Sequence, residues 1–219
     1  MSKLLILGAG GHGKVVAECA LSLELYTEIA FLDDEKAVGE SILGSCPVVG
    51  TFSDAGNFSQ EFSEAVVALG NNRARVELIE HLKKIGFRIP SLIHPAAYVS
   101  KFAHIESGTV IMAGAVVNPD AHIGVGGIIN TGASVDHDCV LGMGVHLSPG
   151  ARLGGTVTVG DYTWICMGAS VVNNVRVGEG AVVAAGAAVI RDVGDGVLVA
   201  GVPARERKHS KYRMSEKID

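Results

Sequence analysis

The chain is poor in aromatic residues, in charge and in long apolar runs. Of its 219 residues only 5% are Phe, Trp or Tyr, and 19% are charged. Lys and Arg number 18 against 23 Asp and Glu, a formal net charge of −5. The basic footprint that a nucleic-acid backbone demands is missing, so no nucleic-acid partner is expected. No apolar stretch reaches the roughly 20 residues of a membrane-spanning helix, so no membrane insertion is expected. The four cysteines (Cys19, Cys46, Cys139, Cys166) are scattered without metal-ligand spacing. Met1 to Gly8 runs straight into a glycine loop and is too short for the apolar core of a secretion signal. The cysteines therefore read as free thiols, and a cytoplasmic location is expected.

What the chain has is glycine, 29 in all, and a ladder of aliphatics. Every sixth residue from Val99 is aliphatic: Ile105, Ile111, Val117, Ile123, Ile129, Val135, Leu141, Leu147, Leu153, Val159, Ile165, Val171, Val177, Val183 and Val189 follow in strict register. Two residues before each sits a small or β-branched residue. Neither a helix nor an isolated strand has this period. A fixed six-residue repeat predicts a β-helix of short stacked strands, with three sides and eighteen residues to a coil.

The first third reads differently. Lys3 to Leu7 predicts a buried strand, Gly8-Ala9-Gly10-Gly11-His12-Gly13 a glycine turn, and Val15 to Leu25 a helix. Strand, glycine turn and helix N-terminus together make an anion-holding arrangement. Ile29 to Leu32 predicts a second strand ending in Asp33-Asp34, twenty residues after Gly13, where an acid meets a ribose hydroxyl in dinucleotide folds. A third strand, Ala65 to Leu69, ends in Gly70-Asn71-Asn72 before a helix from about Ala74 to Ile85. Residues 1–90 thus form a Rossmann-like half domain and residues 91–219 the β-helix with a polar tail. One half holds one nucleotide, which argues against a dehydrogenase; a plain tight turn is the bland alternative.

Within the repeats, the residues that break the pattern carry the chemistry. His137 and Asp138 flank the Val135 side, His146 follows nine residues on, and Asn130 precedes them. Eighteen-residue stacking sets Gly155 over His137 and the only tryptophan, Trp164, over His146. A lone turn histidine is more often solvated than catalytic; two histidines and an acid within ten residues leave the question even. Zinc is the weaker rival for the histidines: His104 and His122 also stack, but no two histidines stand five residues apart, and no metal is expected.

The residues together resemble the left-handed β-helix acyltransferases, and among them the nucleotide-sugar N-acetyltransferases of the PglD/NeuD type. The resemblance rests on Gly8 to Val15, Phe31-Leu32-Asp33-Asp34, Gly70-Asn71-Asn72, Asn130-Thr131, Val135 to Gly142, His146 and Gly201-Val202-Pro203-Ala204-Arg205. It implies a left-handed helix, a homotrimer with active sites between protomers, and acetyl-CoA as co-substrate without a metal. The acetyl acceptor it implies is the amine of a nucleotide-linked amino sugar, a 4-amino-4,6-dideoxy sugar for surface glycans. It further implies that Gly10, Gly11 and His12 hold the diphosphate, Asp33 and Asp34 the nucleoside, and that Gly70 closes the pocket, with Asn130 beside the substrate. His137 is then the general base, Asp138 the acid behind it, and His146, Met167 and Ala185 the coenzyme contacts. Adjacent strand side chains point apart, so Asp138 serves His137 only if the chain turns there. O-acetylation of a sugar such as a sialic acid, or a non-catalytic binding module, are the alternatives.

Overall fold

The computed structural model describes residues 2–207. The first third is a five-stranded sheet: β1 (Ser2–Leu7), β2 (Tyr26–Leu32), β3 (Ser41–Ile42), β4 (Cys46–Gly50) and β5 (Glu64–Val67), in the order β3-β4-β2-β1-β5. All pairings are parallel except β3 with β4. The short pair β3–β4 lies in a stretch for which no strand was expected. Helix α1 (Gly11–Ser22) begins inside the glycine loop, four residues earlier than the apolar spacing indicates, and ends before Glu24, which takes φ 54°. After the short α2 (Ala55–Phe58), α3 spans Asn72–Lys84, capped by Asn71, whose side-chain oxygen accepts the Ala74 N–H. No helix among the described residues is long and apolar enough to cross a membrane.

From Leu92 the chain winds as a three-sided prism of two- and three-residue strands. One side has eight strands, one six and one five; up to Val189 they stack in parallel with a register of eighteen residues, as in Ile129↔Leu147 and Val135↔Leu153. The predicted ladder fills the axis: Val117, Ile123, Ile129, Val135, Leu147 and Ile165 have no exposure. Leu92–Ile93 pairs with Val110–Ile111 as the first strand of the eight-stranded side. At the start of the polar tail Arg205–Arg207 pairs antiparallel with Leu198–Ala200, and residues 208–219 lie outside the described residues.

From Gly108 to Gly186 each corner between sides turns through a left-handed residue. Glycine does this at the corner leaving the eight-stranded side (114, 132, 150, 168 and 186), whereas the corner leaving the six-stranded side uses Asp120, Asp138, Thr156 and Asn174. The sheet unit sits on the eight-stranded side. Buried Val16, Ala17, Cys19 and Ala20 of α1 share a core cluster with Leu92, Val110, Met112 and Ile128 of that side. Helix α3 lies on the adjoining corner, where a Cβ on Gly126 would come within 2.9 Å of Ile79 and one on Gly144 within 3.0 Å of Val76.

Candidate active site

The glycine loop leaves β1 where the strand order reverses, between β1 and β5, the place where open α/β sheets bind ligands. Gly8 takes φ +106° and packs on Ala68 and Leu69 of the loop after β5; a Cβ on Gly13 would collide with the Gly8 carbonyl. These two glycines are fixed by the turn itself. A Cβ on Gly11 or Gly70 would meet nothing, so the turn leaves open space beside both. Gly10 precedes α1 as its N-cap, with no side chain to bond the first amides. Asp33 is engaged with backbone: one oxygen accepts from Ala9 N at 2.7 Å, the other from Glu35 N and Lys36 N at 2.9 Å. Asp34 accepts from Phe52 N at 2.9 Å. Both acids therefore shape the rim of the loop, with further lone pairs left for a ligand.

His12, on the first turn of α1, faces His146 on the eight-stranded side, ring centroids 6.4 Å apart at 27°. His146 in turn stacks on Trp164, at 5.9 Å and 18°, and the indole N–H donates to Ser148 Oγ at 2.7 Å. The Nε2 atoms of His12 and His146 are buried without a hydrogen-bond partner. Burial, with Arg75 as a second cause, pushes His12 down to about 4; burial, Arg75 and His12 push His146 down to about 3. Both rings are neutral at pH 7. Sequence spacing gave the His146–Trp164 pair; the His12–His146 contact needed the tertiary fold.

His137 lies elsewhere, on the corner between the six- and five-stranded sides. Its Nδ1 is 2.7 Å from Asp138 Oδ2. The left-handed φ of 59° at Asp138 supplies the required turn. That hydrogen bond, above all, raises the His137 pKa, with Asp136 adding to it. Asp136 accepts from the His137 N–H and from Asn118, each at 2.8 Å, and so pins the corner. Gly155 lies over the ring as the spacing required: a Cβ there would stand 2.5 Å from His137 Nε2. The cleft beside Nε2 is lined by Gly154, Gly155, Thr156, Asn173 and Asn174 and has a volume of about 420 Å³.

The remaining expected residues group with His146. Asn130 is on the eight-stranded side, its Oδ1 accepting the Thr131 N–H at 2.8 Å. Met167 and Ala185 are exposed one coil apart on the corner that leaves that side. His137 is thus half a coil from His146 and separated from it round the prism. Arg75, which sequence reading passed over, is fully buried and bonds both the Leu69 loop and the prism. Its signal was a charged residue in the core-facing spacing Arg75, Ile79, Leu82 of α3. Among the described residues no group of three or more His, Cys, Asp or Glu is placed to hold a metal ion.

Known proteins resemble this chain in sequence and fold. The PglD N-terminal domain family matches residues 3–82. The acetyltransferase domain of PglB from Neisseria gonorrhoeae FA1090, solved with acetyl coenzyme A, is 45% identical with a TM-score of 0.90, over 94% of this chain and 99% of that one. PerB from Caulobacter crescentus, solved with CoA and GDP-perosamine, is 39% identical with a TM-score of 0.89, over 95% and 98%. The UDP-N-acetylbacillosamine N-acetyltransferase of Bacillus subtilis (strain 168) is 41% identical over 115 residues, so the match spans about half of that curated relative, 52% of each chain.

Proposed function

This chain belongs to the PglD-type, hexapeptide-repeat sugar acetyltransferases, a Rossmann-like half domain followed by a left-handed parallel β-helix, and we propose that it moves the acetyl group of acetyl-CoA onto the amine of a nucleotide-linked amino sugar. The observation that carries this reading is the His137–Asp138 pair, an imidazole with a carboxylate on Nδ1 and Nε2 facing an open cleft. The substrate class is that of PglB's and PerB's bound molecules, acetyl coenzyme A and a nucleoside-diphosphate amino sugar. A 4-amino-4,6-dideoxy sugar destined for a surface glycan is the acceptor we assign.

His137 Nε2 takes a proton from the attacking amine as the carbon–nitrogen bond forms. Asp138 fixes the ring's tautomer and stabilises the imidazolium. The imidazolium then returns the proton to the departing CoA sulfur as the carbon–sulfur bond breaks. The Gly155 N–H, beside the ring, is the donor we assign to the thioester oxygen. Gly10, Gly11 and His12 receive the diphosphate, Asp33 and Asp34 border the nucleoside, Gly70 closes the pocket, and Asn130 adjoins it. His146, Met167 and Ala185 lie along the pantetheine arm.

The separation of His137 from His146 round one prism supports a homotrimer, in which the corner of one protomer meets the eight-stranded side of the next. Residues 1–90 are then the nucleotide-holding unit of each protomer and residues 91–219 the acetyltransferase unit. The four cysteines are free thiols, which supports a cytoplasmic site of action. An acetyl-CoA consumption assay across UDP-, GDP- and dTDP-linked 4-amino sugars tests the reading. Turnover with at least one amine and none with the matching 4-hydroxy sugar is expected. Turnover with hydroxyl acceptors alone would replace it by O-acetylation.

A further inference from the structure

Arg75 is 1% exposed, and among the described residues no carboxylate bonds its buried charge. Its guanidinium donates from Nε to Gly126 O at 2.8 Å, from one terminal nitrogen to Leu69 O at 2.8 Å, and from the other to Asn72 Oδ1 and Gly144 O, each at 2.9 Å. All four acceptors are neutral. A buried cation so held is costly to desolvate, and burial lowers its pKa to about 9. A leucine or methionine would serve packing alone at lower cost, so the position asks for another explanation.

The bonds supply it. Leu69 leads into Gly70 at the nucleotide end of the sheet, while Gly126 and Gly144 are successive turns of the corner two residues ahead of Ile128 and His146. Asn72 extends the same tie to a third turn, donating to Tyr162 O at 2.9 Å. Tyr162 is two residues ahead of Trp164. One guanidinium and one carboxamide therefore fix the loop after β5 against the three coils that carry Ile128, His146 and Trp164.

We propose that Arg75 is a positioning residue for acetyl transfer: it sets the glycine-loop unit on the prism so that His12 stacks over His146, both Nε2 atoms being buried without a hydrogen-bond partner. This rests on the acetyltransferase reading above. The charge has a second effect. The titratable and charged groups acting on His146 are Arg75 from α3 and His12 from α1, and no carboxylate is among them. A nearby fixed cation disfavours protonation of either ring, which keeps Nε2 available as a neutral donor or acceptor.

The only tryptophan reports on this directly, because Trp164 stacks on His146 and an imidazolium quenches indole emission more than a neutral imidazole does. In the wild-type protein, Trp164 emission should stay flat across roughly pH 5 to 8. In Arg75→Met a quenching transition should rise towards that window. kcat should fall roughly 10²-fold, as expected when reacting groups are displaced by about 1 Å, with KM for acetyl-CoA within about threefold, since His146, Met167 and Ala185 all keep their places on the prism and only the glycine-loop unit shifts against it. Arg75→Lys, which keeps the charge and loses the fork, should recover the flat emission and only part of kcat. A purely structural Arg75 would lower the melting temperature of Arg75→Met and leave kcat per folded molecule and the Trp164 titration unchanged; that result overturns the proposal. Should Arg75→Met fail to fold, Arg75→Lys and the wild-type titration decide: a wild-type quenching midpoint near the ordinary histidine value, or full kcat in Arg75→Lys, overturns it. A wild-type protein that acetylates no nucleotide sugar refutes the functional reading instead, and leaves the fluorescence arm standing.

Discussion

His137 and Asp138 are neighbours in sequence, yet their side chains meet at 2.7 Å, Nδ1 to Oδ2. In an extended strand they would point to opposite faces. The corner makes the contact, because Asp138 takes the left-handed φ of 59° that Asp and Asn tolerate better than most residues. Asp138→Asn keeps that backbone and removes the charge. The carboxylate raises the His137 pKa, and the base must be unprotonated. The acid limb of the kcat/KM profile should therefore move to lower pH in Asp138→Asn, while kcat drops roughly tenfold or more. Stability follows the same sign. The pair stabilises the fold fully below about pH 6.5, and the contribution fades as pH rises through the raised folded value. An unmoved acid limb would detach Asp138 from the base.

Gly155→Ala tests the ring's seat. The new methyl would stand 2.5 Å from His137 Nε2 and 2.6 Å from its Cε1. His137 is an exposed side chain and swings aside at little cost, so the melting temperature should hold while kcat falls by roughly 10²-fold. A variant of full activity would show that Nε2 is not the acting atom.

Ile129→Ala tests the ladder. Ile129 has no exposure and lies among aliphatics of adjacent coils on the prism axis. Deleting its branches should cost about 2–5 kcal/mol, read as a lower denaturant midpoint. A loss under about 1 kcal/mol would mean the axis is not close-packed.

Mixing tests the shared site. His137→Ala and His146→Ala should each lose most activity alone. Unfolded together in equal amounts and reassembled, they should regain activity at about a quarter of the sites, those where an intact His137 faces an intact His146 across a threefold interface. No recovery would place both histidines of one site in one chain.

The six-residue period made the prism legible, because an axis that admits only one aliphatic per side forces the repeat onto the sequence. Eighteen-residue stacking likewise placed Gly155 over His137 and Trp164 over His146. The sheet unit was legible in outline: β1, β2, β5 and both long helices are found, but β3–β4 escaped, since two- and five-residue strands around Gly44 and Pro47 carry little periodicity. The stack of His12 on His146 could not be read, because the residues are 134 positions apart and meet only through the seating of α1 on the eight-stranded side. Asp33 shows the reverse case. The spacing that suggests a ribose contact is equally the spacing that lets its carboxylate hold the Ala9 amide and close the glycine loop.

The most direct measurement is steady-state acetyl transfer by His137→Ala beside the wild type, with CoA affinity taken by calorimetry on the same samples. Loss of roughly 10²–10⁴-fold in kcat, with CoA affinity unchanged and assembly intact, is the predicted result. Turnover near the wild-type rate would contradict the assignment of His137 as the base, and with it the mechanism proposed for this chain.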